Sequence, residues 1–67
     1  MKTIISDIQA GGGATIDLAY DKESNEVAEI KTFADGTTLT ARYHIDNFNP
    51  EAFGNAGESF LGLIEGE

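Results

Sequence analysis

The dipeptide Asp35-Gly36 constrains this chain more than any other feature. It stands between two runs of alternating character that together cover residues 26–45, and an Asp-Gly pair so flanked is the strongest short-range signal for a β-hairpin. A two-residue turn at that point fixes the register of everything beside it. Thr32 then faces Leu39, Ile30 faces Ala41 and Ala28 faces Tyr43 on an apolar side. The other side pairs Phe33 with Thr38, Lys31 with Thr40, Glu29 with Arg42 and Val27 with His44, so opposite charges meet as cross-strand neighbours should.

Residues 14–21 alternate with the same period, Ile16, Leu18 and Tyr20 against Thr15, Asp17 and Ala19, and predict a third strand. A short loop at Glu23, Ser24 and Asn25 would set Tyr20 against Ala28, Leu18 against Ile30 and Ile16 against Thr32. The apolar face is thereby extended, and Asp17 falls opposite Lys31. Ile4, Ile5 and Ile8 favour a further strand over residues 3–8, because β-branched residues dominate and Gly11-Gly12-Gly13 stops it. That glycine run reads as a flexible joint over which the first segment folds back or swaps onto a neighbour. Cradling a phosphate would require a helix start behind it, and a strand follows instead.

After His44 the pattern changes. Asn49 suits a helix N-cap, Pro50 the first helical position, and Glu51 the positive end of the helix dipole. Phe53, Phe60, Leu61 and Ile64 fall on one helical face, whereas Gly54, Gly57 and Gly62 each cost about 1 kcal/mol relative to alanine inside a helix. One broken helix satisfies both observations, as does a short helix followed by a second over residues 58–64. The expected fold is α+β: an antiparallel sheet of three to four strands covered on one face by a C-terminal helix or two short helices, in a single small domain over residues 1–67. Its expected core is Ile16, Leu18, Tyr20, Ile30, Leu39, Ala41, Tyr43 and Ile45 against Phe53, Phe60, Leu61 and Ile64. Val27 and Phe33, left on the opposite sheet face, are candidate apolar contacts unless the termini or a dimer mate cover them.

A chain of 67 residues without cysteine is near the lower limit for folding without a staple. Pairing as a homodimer would add stability. The N-terminal residues hold no apolar run of signal-peptide length, and no stretch is long enough to span a bilayer. A cytoplasmic protein is expected, in the host cytoplasm if virus-encoded.

Catalytic parts are scarce. His44 is the single imidazole, cysteine is absent, and Ser6, Ser24 and Ser59 lie in no nucleophile signature, so neither an enzyme nor a cofactor is expected. A Cys/His zinc site is excluded on the same count. Asp21, Glu23 and Asn25 alternate as at the start of a calcium loop, but Glu26 stands where the sharp-turn glycine belongs and Thr32 where the closing glutamate belongs. A solvated acidic turn is the expectation, with no metal.

Charge carries the functional reading. Twelve carboxylates against four basic residues give a net charge of −8, which disfavours nucleic acid and anionic membranes as direct partners and favours a basic protein surface. From residue 44 onward the carboxylates are Asp46, Glu51, Glu58, Glu65 and Glu67, with no Lys or Arg among them. The loop side adds Asp21, Glu23 and Glu26 against Lys22 alone. A continuous helix would place Glu51, Glu58 and Glu65 on one stripe.

These residues define the expected function: an acidic protein-binding inhibitor that occupies the basic nucleic-acid-binding surface of another protein. Asp46, Glu51, Glu58 and Glu65 are the foremost contacts, with Asp21, Glu23 and Glu26 behind them. The alternative is a small homo-oligomeric module or accessory subunit that uses an apolar sheet face or edge. In size, acidity, and lack of cysteine and catalytic residues the chain resembles the small virus-encoded inhibitors of bacterial defence, of anti-CRISPR or anti-restriction type. The likeness is one of composition, carried by no motif, and it implies mimicry of nucleic acid.

Overall fold

Each alternating run becomes a strand, and so does the isoleucine-rich segment before the glycines. A computed structural model describes the backbone of residues 2–66 and the side chains of residues 5–66. The strands are β1 (Lys2–Gln9), β2 (Thr15–Asp21), β3 (Glu26–Thr32) and β4 (Thr38–His44). They pair antiparallel in chain order, so that β1 and β4 are the edges. Gly11, Gly12 and Gly13 all take positive φ, 79°, 60° and 80°, a succession that glycine alone adopts without strain. The first segment therefore folds back onto β2.

The hairpin at Asp35-Gly36 forms, but with three loop residues where a two-residue turn was expected. The Phe33 N–H donates to the Thr37 carbonyl at 2.8 Å and the Gly36 N–H to the Phe33 carbonyl at 2.9 Å. Gly36, at φ 93°, supplies the left-handed residue of a turn closed by a bulge. The Asp35 carboxylate locks the arrangement by accepting from the Thr37 N–H at 3.0 Å and the Thr37 hydroxyl at 2.7 Å. Between β2 and β3 the loop is also one residue longer than expected, with Asp21 opposite Glu26 and Asn25 at φ 57°.

The two offsets cancel between β2 and β4. Tyr20 still lies level with Tyr43 and Leu18 with Ala41, through Val27 and Glu29 instead of Ala28 and Ile30. Only β3 is inverted, since a shift of one residue sends every side chain to the other face. Val27 is consequently fully buried between Tyr20 and Tyr43, which corrects its reading as an exposed contact. Ile30 moves to the opposite face, in a row with Asp17 and Thr40. The expected pairs Glu29 with Arg42 and Asp17 with Lys31 do not form as cross-strand neighbours.

Beyond β4 the chain makes a 3-10 helix (Ile45–Asn47), a second 3-10 helix (Pro50–Phe53) and α1 (Asn55–Glu65). The cap at Asn49 is as expected, its side chain accepting from the Glu51 N–H at 3.2 Å. Gly54, at φ 58° and ψ −135°, separates the second 3-10 helix from α1, so the C-terminal segment is interrupted where its first glycine falls. α1 packs on the second 3-10 helix and on β1. An aromatic cluster ties these pieces together: Phe48 stacks on Phe53 with ring centres 5.6 Å apart and meets Phe60 at 5.2 Å.

Leu18, Tyr20, Val27, Phe48 and Phe60 form the buried centre, with Ile5, Ile8, Ile16, Tyr43, Ile45, Phe53, Leu61 and Ile64 packed around it. Leu39 and Ala41, expected in the core, are exposed, Leu39 at 61%. The cause is the placement of α1 toward the β1 side of the sheet. Among the described residues no helix is long and apolar enough to cross a membrane.

Candidate acidic interaction surface

Carboxylates fall into two settings in this fold, those bonded to Arg42 and those on the C-terminal elements. Arg42 on β4 shares a row with Ala28 of β3 and Ala19 of β2, and these small residues let its side chain cross the sheet. Its Nε donates to Glu26 Oε1 at 2.8 Å and its Nη2 to Asp21 Oδ2 at 2.9 Å. The guanidinium bond, together with a bond from Ser24, holds the Glu26 carboxyl below its ordinary value. At Asp21 burial works upward, but bonds from Glu23 and Ser24 and the Arg42 charge outweigh it and leave this carboxyl lowered too. Two of the three loop-side candidates are thus spoken for, and Glu23 stands exposed beside them. The alternation of the two runs pairs Arg42 with Glu29. In the fold Glu29 instead accepts a bond from the Tyr43 hydroxyl.

The C-terminal candidates are different. Asp46, Glu51, Glu58 and Glu65 are all exposed, and no lysine or arginine follows Arg42 in the sequence. Asp46 lies in the first 3-10 helix, its N–H capped by His44 Nδ1 at 3.1 Å and its carboxylate 3.4 Å from the same nitrogen. Because Gly54 breaks the helix, the continuous stripe through Glu51, Glu58 and Glu65 does not exist. Glu58 and Glu65 remain two turns apart on α1. Yet the bend returns Glu51 to its neighbour: Pro50, Glu51, Gly54, Asn55 and Glu58 line one open depression. Glu67 lies outside the described residues.

Packing makes this return necessary. Gly57 of α1 is buried against the second 3-10 helix, where a Cβ would stand 2.1 Å from the Pro50 carbonyl oxygen. Glycine is what allows the two helices to approach, and the approach is what sets Glu58 beside Glu51. Phe48 and Phe60 hold the same junction from below. A lone Phe within the polar run 46–51 was the signal available for that anchor.

Phe33, the other apolar candidate, is exposed at 38% where it closes the hairpin loop against Thr37, with the Lys31 ammonium 5.1 Å from its ring centre. It is not adjacent to Val27 on any surface. Among the described residues no three His, Asp or Glu side chains are grouped to hold a metal ion.

Comparison of the chain with family models, curated proteins and solved structures yields no match.

Proposed function

We propose that this protein is an acidic binding module whose C-terminal elements occupy a basic groove on another protein, in competition with the nucleic acid that the groove accommodates. The observation that supports the reading most is the segregation of charge. Arg42 neutralises Asp21 and Glu26 on the sheet, while Asp46, Glu51, Glu58 and Glu65 are left without a cationic side chain from residue 45 onward. Unbalanced charge destabilises a small domain by self-repulsion, and a partner of opposite sign gives it a use in steering. The reading places the protein in the cytoplasm and gives it the role of an inhibitor of a nucleic-acid-processing protein, of the kind with which viruses disarm bacterial defence.

Capture from a bacterial lysate on the immobilised protein tests it, with washes of rising ionic strength. A nucleic-acid-binding protein retained in low salt, released in moderate salt and displaced by duplex DNA or by RNA is the expected result. A partner that resists salt and binds nucleic acid and this protein at once would refute it.

A further inference from the structure

The two edges of the sheet are built differently. β1 is broken twice, between Thr3 and Ile5 and between Ile5 and Ile8, and Asp7 takes a left-handed φ of 61° while its N–H is capped by Asp17 Oδ1 at 3.0 Å. Bulges and an inserted carboxylate are how sheets blunt an edge against further pairing. β4 has no such device. Its seven residues pair with β3 in an unbroken register, and they include no carboxylate in a chain of net charge −8.

The backbone of β4 has a definite polarity. Thr37 accepts from Phe33 and Ile45 donates to Asn25, so the odd-numbered residues direct their N–H and C=O groups toward β3. The even-numbered residues, among them Thr40 and Arg42, direct theirs to the open side. Next to this row of outward groups lies apolar surface that α1 leaves uncovered, with Leu39 and Ala41 exposed.

We infer that β4 pairs antiparallel with β4 of a second copy, about a two-fold axis at Ala41, to give a continuous eight-stranded sheet. This register uses all seven residues. It forms hydrogen-bonded pairs between Thr40 and Arg42, sets Leu39 across from Tyr43, and brings no two like charges directly opposite. The self-matching register names a second copy as the occupant, and charge permits it. The strand that meets its mate carries no acid, and the acidic α1 elements pack on β1 at the two far ends of the joined sheet, about 34 Å apart over seven strand spacings. That separation is several times the screening length of about 8 Å in physiological salt. Glu51, Glu58 and Glu65 stay with α1 at the outer ends, so their part in the proposed groove is independent of this pairing, whereas Asp46 follows β4 by two residues and lies nearer the seam.

Sedimentation of the full chain tests the inference. A species of twice 7.1 kDa is expected, and Thr40→Pro should weaken pairing about thirtyfold or more, since it removes an outward N–H from both copies without touching the β3 ladder. Far-ultraviolet circular dichroism verifies that the variant folds, and Leu39→Lys, at an exposed position, should weaken the dimer likewise. The chain has no cysteine, so Ala41→Cys places one thiol per copy on the axis, where a non-hydrogen-bonded pair has its Cα atoms about 4.5 Å apart. It should oxidise to a covalent dimer, whereas Thr38→Cys should not. A wild-type monomer at high concentration, or a dimer indifferent to both Thr40→Pro and Leu39→Lys, overturns the inference.

Discussion

Gly57 on α1 faces the Pro50 carbonyl so closely that a Cβ would stand 2.1 Å from its oxygen. The backbone of one helix is the packing surface of the other. Gly57→Ala is therefore expected to destabilise by about 1–3 kcal/mol despite alanine's better helix propensity. Gly62, on the same helix, has nothing within 4 Å of its Cβ direction, and Gly62→Ala should stabilise by up to about 1 kcal/mol. Urea unfolding of the two variants reads the opposite signs.

The inversion of β3 makes its own prediction. Val27→Ala should cost about 1–2.5 kcal/mol, because it removes two methyl groups from a site with no exposure. Leu39→Ala, measured in dilute solution where copies are apart, should change stability by less than about 0.5 kcal/mol. The reverse order would restore the two-residue turn that the sequence alone suggests.

That comparison shows where the fold was legible. Strand positions, the sheet and the capped start at Asn49 follow from alternation and capping chemistry, which are local. The register depended on loop length, and a loop residue more or less changes no local pattern. Asp-Gly serves a two-residue turn and the observed three-residue loop equally well, and the side-chain lock from Asp35 to Thr37 is what distinguishes them here. Opposite charges proved a poor guide for the same reason. The one-residue shift sends Glu29 to the face away from Arg42, whose long side chain reaches Glu26 and Asp21 in the next row of its own face. At the C-terminus the glycines announced the break, while the return of Glu51 to Glu58 depended on the close approach at Gly57.

Acid should loosen the sheet through three carboxyls. Those of Asp21, Glu26 and Asp35 are held below their ordinary values of 3.8, 4.5 and 3.8, Asp35 chiefly by the Thr37 hydroxyl and N–H. The unfolded chain takes up these protons first as pH falls, so the stabilisation is complete above about pH 4.5 and is lost below it as the folded values are passed. Arg42→Gln should move the Glu26 titration up toward 4.5. Carboxyl carbon shifts followed by NMR from pH 6 to pH 2 measure both.

Alkali acts through Tyr43. Burial, and then the bond to Glu29 and its negative charge, push the Tyr43 hydroxyl above its ordinary value of 10. The folded state keeps a proton that the unfolded chain gives up, so this contribution is complete below pH 10 and is lost as pH rises from there through the higher folded value. Glu29→Gln removes the charge and should lower the Tyr43 ionisation, seen as an earlier phenolate absorbance at alkaline pH.

The most direct measurement of the binding role is the salt dependence of affinity for the captured partner, for the wild type and for a variant combining Asp46→Asn, Glu51→Gln, Glu58→Gln and Glu65→Gln. All four positions are exposed, so the variant retains the fold. The account predicts a steep loss of wild-type affinity with rising salt, competition by nucleic acid, and a variant with weak affinity and a shallow slope. Equal affinities with the same slope would contradict it and remove the C-terminal carboxylates from the interface.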